Sequence, residues 1–375
     1  MDRDRQPVLG HRGRAAGRCE AVLALALALG VSGCSLMFSQ QWERDPGAPT
    51  FTLRGDTSLT SGRPCVPNVD RALQGLPRTG RRLAFDPGST GRLGGWKRHW
   101  QGIQRLSRDS ITVLYVSRSG GDRSVIVVQV GKGPAERLHP DRETAVEPMR
   151  GVTVGTLPYD TGFRHAGGLA LLGDLLLVPL DGAPGGRVVF YDVSAPLAPR
   201  RIGALRPAPS RDQRKPREAS AVGLTRLADG HYLLVIGVHS SKALDFYLSG
   251  DTGAVADAAG YRRVGVLTGL NVTGLQSLAL LTQCDGTVFL VGTHNTAVPP
   301  PSRGRDHLHW YRLEPERPGR IALREQGERW IVCTACNLAA AAGLYLAPGG
   351  AMVLYASEFW THGPEGRVAV EEFWP

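Results

Sequence analysis

This chain of 375 residues is poor in long apolar runs and in blocks of like charge. The longest sustained apolar stretch, Ala21–Gly33, falls short of the roughly 20 residues a spanning helix needs. That excludes a multi-span membrane protein. The net charge is +10, yet the arginines are scattered, with only isolated pairs such as Arg81-Arg82, Arg200-Arg201 and Arg262-Arg263. A basic stripe of the kind that tracks a phosphate backbone is missing, so nucleic acid is not expected as a partner. There is no G-x-S-x-G, no phosphate-cradling glycine loop and no H-E-x-x-H. No histidine follows Cys336, which rules out c-type haem attachment. Helical periodicity is almost absent beyond residue 50, whereas 48 Gly and 26 Pro supply material for many tight turns.

What is present begins with an address. Arg3, Arg5, Arg12, Arg14 and Arg18 precede the apolar run, and Val31-Ser32-Gly33 puts small residues directly before Cys34. This arrangement resembles the lipobox of bacterial lipoproteins. The resemblance implies cleavage before Cys34, lipidation of that cysteine, and residence in the cell envelope on the exported side of a membrane. The expected organisation is a signal peptide over residues 1–33, a tether over 34–49 and one folded domain over 50–375. Cys65, Cys284, Cys333 and Cys336 then remain in an oxidising compartment, where an even number is read first as two disulfides of open connectivity. Cys333-Thr334-Ala335-Cys336 also has metal or redox spacing, but a four-cysteine zinc site would need Cys65 and Cys284 to converge on it.

A unit recurs about five times after residue 100. Small residues lead into an alternating strand, followed by a Gly/Asp turn, a stronger apolar strand, a loop and an aromatic-rich strand. Units start at Gly102, Gly168, Ala221, Gln276 and Ala341. Repeated sets of three or four antiparallel strands predict an all-β β-propeller. Five blades are expected, or six if residues 44–98 form a degenerate blade. The second to fourth units carry a fourth strand, but the fifth ends at Pro375 without one. Its outer strand is therefore expected from the N-terminal side, from residues 81–85 or 50–54. The stretch Tyr191-Asp192-Val193-Ser194-Ala195-Pro196, continued to Gly203, resembles the end of an LVIVD-type propeller blade. Such repeats occur in bacterial envelope proteins, and the resemblance implies architecture more than chemistry.

Aligning the second strand of each unit places Arg118, Asp181, His239, His294 and Glu358 at one equivalent position. His165, with His99 and Glu218, adds to the same side from the links between blades. A ring of ligand candidates at one mouth of the central channel is the expectation. Strand ends run into solvent, so such residues are also what an inert surface would show. His307-Leu308-His309 is discounted as a chelate, its two imidazoles being expected on opposite faces of a strand. The tryptophans are expected mainly between blades, with a sugar-stacking rim as the other option. Two functions stay open. One is a lipid-anchored binding or scaffolding module without catalysis or cofactor, its partner an envelope protein or a glycan. The other is a metal-dependent hydrolase or lactonase-type enzyme using a divalent cation at the mouth.

Overall fold

The computed structural model describes residues 39–58, 63–86, 99–120, 123–130, 150–158, 160, 162–209, 217–238, 240–252, 255–272, 274–296, 305–317, 319–360 and 368–375. The expected signal segment, Cys34 and His239 lie outside these residues. Among the described residues, no helix is long and apolar enough to cross a membrane.

The chain forms a five-bladed β-propeller. Blade 1 contains β3 (Trp100–Arg108), β4 (Ile111–Arg118), β5 (Arg123–Gln129) and β6 (Arg150–Pro158). In blade 2 the inner strand is interrupted: β7 (Phe163–Ala166) and β8 (Ala170–Leu172) both pair with β9 (Leu175–Gly182). β10 (Gly185–Asp192) and β11 (Arg200–Leu205) complete it. Blade 3 runs β12 (Ala221–Arg226), β13 (Tyr232–Val238), β14 (Ala243–Leu248) and β15 (Arg262–Thr268). β1 (Gln41–Arg44) lies antiparallel along its outer edge, so part of the segment read as a tether is a strand. Blade 4 is β16 (Ser277–Thr282), β17 (Val288–Asn295), β18 (Asp306–Arg317) and β19 (Arg320–Ile331).

Blade 5 closes the ring. It takes β20 (Ala342–Leu346), β21 (Met352–Ser357) and β22 (Val368–Phe373) from the C-terminal end, and β2 (Arg81–Asp86) from the N-terminal side. Of the two candidate closing segments, 81–85 is the strand that pairs, with Arg81 opposite Glu372 and Phe85 opposite Val368. Residues 50–54 form no strand. The described part of 44–98 supplies strands and a helix to other elements instead of a sixth blade.

Alternation decides how the blades pack. Each strand turns successive side chains to opposite faces, and every blade is apolar on both, so each face needs a neighbour. Five apolar cores result, each drawn from two adjoining blades. Trp100 and Trp310 lie in this packing with no exposed surface, as expected for aromatics between blades. The small residues at the start of each unit have a steric cause. Inner strands crowd where they begin, and a Cβ on Gly343 would lie 1.7 Å from the Ile103 carbonyl oxygen, one on Gly167 1.8 Å from that of Ser220. A buried polar chain fastens blade 1 to blade 5: Arg105 donates to the Tyr355 hydroxyl at 2.9 Å, which donates to Glu372 Oε1 at 2.6 Å.

The segment before β2 forms a belt over the lower face, where the inner strands end. Gly55 bridges Leu227 and Val66 bridges Gln283. Between them the Arg63 guanidinium donates to the carbonyl of Leu280 at 3.0 Å and to that of Leu171, on the inner strands of blades 4 and 2. Cys65 is disulfide-bonded to Cys284, 219 positions away. The belt continues through helix α1 (Val69–Gly75), capped by Asn68, whose Asp70 accepts a hydrogen bond from Trp310 Nε1 at 3.0 Å. Cys333 and Cys336 form the second disulfide, which leaves no four-cysteine zinc site. The Glu371 carboxylate accepts hydrogen bonds from the backbone of Thr334 and Ala335 in that small loop.

Candidate functional site

The upper face gathers the chemistry, because the links between blades and the turns after each second strand all emerge there. Arg118 ends β4 opposite Trp100 and is buried. Glu358 follows β21 and accepts the Ala369 N–H at 3.1 Å, which ties it to its own blade. Asp181 sits near the end of β9 and in register with His165 on β7.

Around blades 5, 1 and 2, four of the expected side chains come together: His99, His165, Asp181 and Glu218. His99 stacks on Phe359 with ring centroids 4.3 Å apart and planes 6° from parallel. Its Nδ1 lies 2.9 Å from the Ser119 hydroxyl, and Gln101 engages Nε2. The His165 ring lies 6.0 Å from His99. Beside it opens a cleft of about 430 Å³ lined by Arg164, His165, Asp181, Gly182, Gly185 and Glu218, among others. Burial lowers the pKa of His165, and the Glu218 carboxylate partly offsets this. His165 is thus held toward the neutral imidazole form in a cleft that also presents Asp181 and Glu218, suited to accept or donate one hydrogen bond to a polar ligand.

His294 does not join that group. It lies near the end of β17 directly opposite His307 on β18, on the face of blade 4 that packs toward blade 3. There the His294 and His309 rings are 6.0 Å apart, and those of His307 and His309 are 5.6 Å apart at 17°. The expectation that His307 and His309 face opposite ways is overturned. Positions two apart along a strand share a face, and only Leu308 between them points to the other core. His309 is also paired in register with Glu328 on β19, and His307 with Trp330. Trp330 is 40% exposed, packs edge-on to His307 and carries the Arg305 guanidinium 4.0 Å above its ring. Burial lowers the pKa of His307 and takes that of His309 to about 4, with Glu328 opposing in both.

Among the described residues, His307, His309 and Glu328 make the one set of three or more side chains whose donor atoms lie within 4.8 Å of one another. Asp181, His294 and Glu358 are not brought together as a ligand set. A shared place on a strand does not make side chains converge. The pair at 307 and 309 was legible from parity alone.

No family model matches the chain, and no curated protein matches it. Among solved structures, it is similar to an exo-β-1,3-galactanase from Phanerochaete chrysosporium. The TM-score is 0.45 at 11% identity, over 80% of this chain and 63% of that one. A galactanase from Clostridium thermocellum aligns at TM-score 0.41 and 11% identity, over 80% of this chain and 62% of that one. A GH43 β-1,3-galactosidase solved with galactodeoxynojirimycin aligns at TM-score 0.41 and 10% identity, over 73% and 89%. Likenesses of this size concern architecture alone, and the propeller is established by its own strand pairing.

Proposed function

We propose that this chain is a lipid-anchored propeller of the bacterial cell envelope that works as a binding module. The observation that carries the binding reading is the polar cleft that the upper face opens beside His165, Asp181 and Glu218. The belt crosses part of the lower face, where grooves remain beside Arg63 and Tyr345 and beside Asp174 and Asp192. The cleft offers hydrogen-bonding groups fixed on strand ends, a geometry suited to holding a polar group of an envelope protein or glycan. Both disulfides favour an oxidising compartment, which supports export. Cys34, behind its apolar run, supplies the lipid attachment point, and stable anchoring takes more than one acyl chain. The basic balance of the chain adds attraction to anionic headgroups.

The metal-dependent hydrolase alternative draws less support. It asks Asp181, His239, His294 and Glu358 to converge, and the three that are described do not. A sugar-stacking rim is also weakly supported, since Trp330 alone among the described tryptophans is exposed.

Cell fractionation tests the anchor: Cys34→Ala is expected to shift the protein from the membrane to the soluble exported fraction, and retention in the membrane overturns it. A photoreactive side chain placed at Asp181 tests the face. It is expected to crosslink an envelope component more strongly than the same group at exposed Asp109, in the turn between β3 and β4 on the lower face. Equal yields from the two positions would overturn the assignment.

A further inference from the structure

A second feature of the upper face is independent of the cleft. In an antiparallel sheet, directly opposed residues share a face, so β17, β18 and β19 lay His294, His307 and Trp330 in one row and His309 and Glu328 in the next. His307 Nδ1 lies 3.5 Å and His309 Nδ1 3.9 Å from the same oxygen, Glu328 Oε2. A tetrahedral ion with bonds of roughly 2.0–2.2 Å would hold its ligand atoms about 3.3–3.6 Å apart, so small rotations of these side chains reach that arrangement. Both imidazoles are buried, and neither Nε2 of His307 nor Nδ1 of His309 has a hydrogen-bond partner. Buried polar atoms are nearly always satisfied. Two adjacent imidazoles facing one carboxylate thus gather three donor atoms within 4.8 Å of one another, a set whose chemistry suits a metal cation. Glu328 is 53% exposed at the side chain, which opens the set to solvent and leaves room for a water or further ligand.

We propose that His307, His309 and Glu328 form a binding site for a divalent transition metal of the zinc class, with His294 beside it as a further donor. Imidazole nitrogens select zinc, nickel or copper(II) over calcium or magnesium, which take oxygen ligands. Glu325 brings a second carboxylate to the edge of the set, with Oε1 3.9 Å from His309 Nδ1 and its other oxygen held by the Asn271 amide. The opposing charge is Arg305, whose guanidinium is stacked on Trp330.

The test is zinc titration of the purified full chain after chelator treatment and dialysis, followed by competition with a chromophoric chelator. One equivalent of zinc is expected to bind. Glu328→Gln, His307→Gln and His309→Gln are each expected to weaken it at least tenfold. Glu328→Gln is a surface change that leaves the core alone, so its effect is not confounded by unfolding. Cobalt(II) in place of zinc is expected to show the visible absorption of a low-coordinate site, lost in the same variants. His165→Gln is expected to bind zinc normally, which separates this site from the cleft. Absence of zinc binding by the native chain, or unchanged affinity in all three variants, would overturn the proposal.

Discussion

The two ends of the propeller channel treat their polar groups in opposite ways. At the lower end, the belt meets the inner strands with complementary partners: the Arg63 guanidinium reaches the carbonyls of Leu171 and Leu280, and Cys65 is covalently fixed to Cys284. At the upper end, His165, His307 and His309 are sheltered from water, yet each has a ring nitrogen without a hydrogen-bond partner. A satisfied buried group stabilises the fold by about 1 kcal/mol, and an unsatisfied one costs about 1–3 kcal/mol. The belt contact is thus built for stability, and the upper histidines are groups to which an incoming molecule can add favourable energy.

Three variants probe this asymmetry. The strongest effect is expected from Cys65→Ser with Cys284→Ser, which frees the belt and removes a link across 219 positions. A loss of about 2–5 kcal/mol should appear in denaturant melts. A loss no greater than that of a single upper-face change would dissolve the contrast. Next is Arg63→Met, which keeps the apolar stem and strips both inner carbonyls of their donor. A loss of about 1–3 kcal/mol is expected, with a lower melting temperature as the readout.

The mildest effect concerns acid and His165. Its folded pKa lies below the ordinary imidazole value of 6.5, because burial disfavours the cation more than Glu218 favours it. Below about pH 6.5 the unfolded chain therefore binds more protons than the folded one. The contribution of neutral His165 is present above that pH and is lost as pH falls. Melting temperatures measured from pH 7 to pH 5 should decline less steeply for His165→Asn than for the native chain. Parallel curves would show that His165 is not held neutral by the fold.

Much of the architecture was legible because blade strands combine alternation with Gly-rich turns, and the crowding at Gly167 and Gly343 leaves a visible trail of small residues. Less legible was β6, whose sequence Arg150–Pro158 is diluted by Gly and Thr and is identified by its pairing with β5. The closing strand came from one of two similar stretches. Leu83 and Phe85 settle it by packing into the core between blades 5 and 1, a distant contact that local sequence does not display. The site was less accessible still. Asp181 and His294 occupy equivalent strand ends, but bulges such as the one between Phe163 and His165 redirect the neighbouring side chains. His307 and His309 needed only the two-residue repeat of a strand to be placed together. Glu328 needed the pairing of β18 with β19, which no spacing rule reveals.

The shared construction of blade 5 also bears on how the protein is made. Its outer strand, β2, is synthesised before any blade exists, and its partner β22 ends at Phe373. Until β22 is made the growing chain is an open row of blades, with β2 paired along β6 alone and the apolar faces at both ends of the row uncovered. The ring shuts only once β22 has emerged. A product that stops before Val368 keeps an unsealed seam and bare strand edges of the kind that aggregate or attract proteases. The seam thus works as a check on the presence of β22: only a chain that carries it can hide the edge of β2.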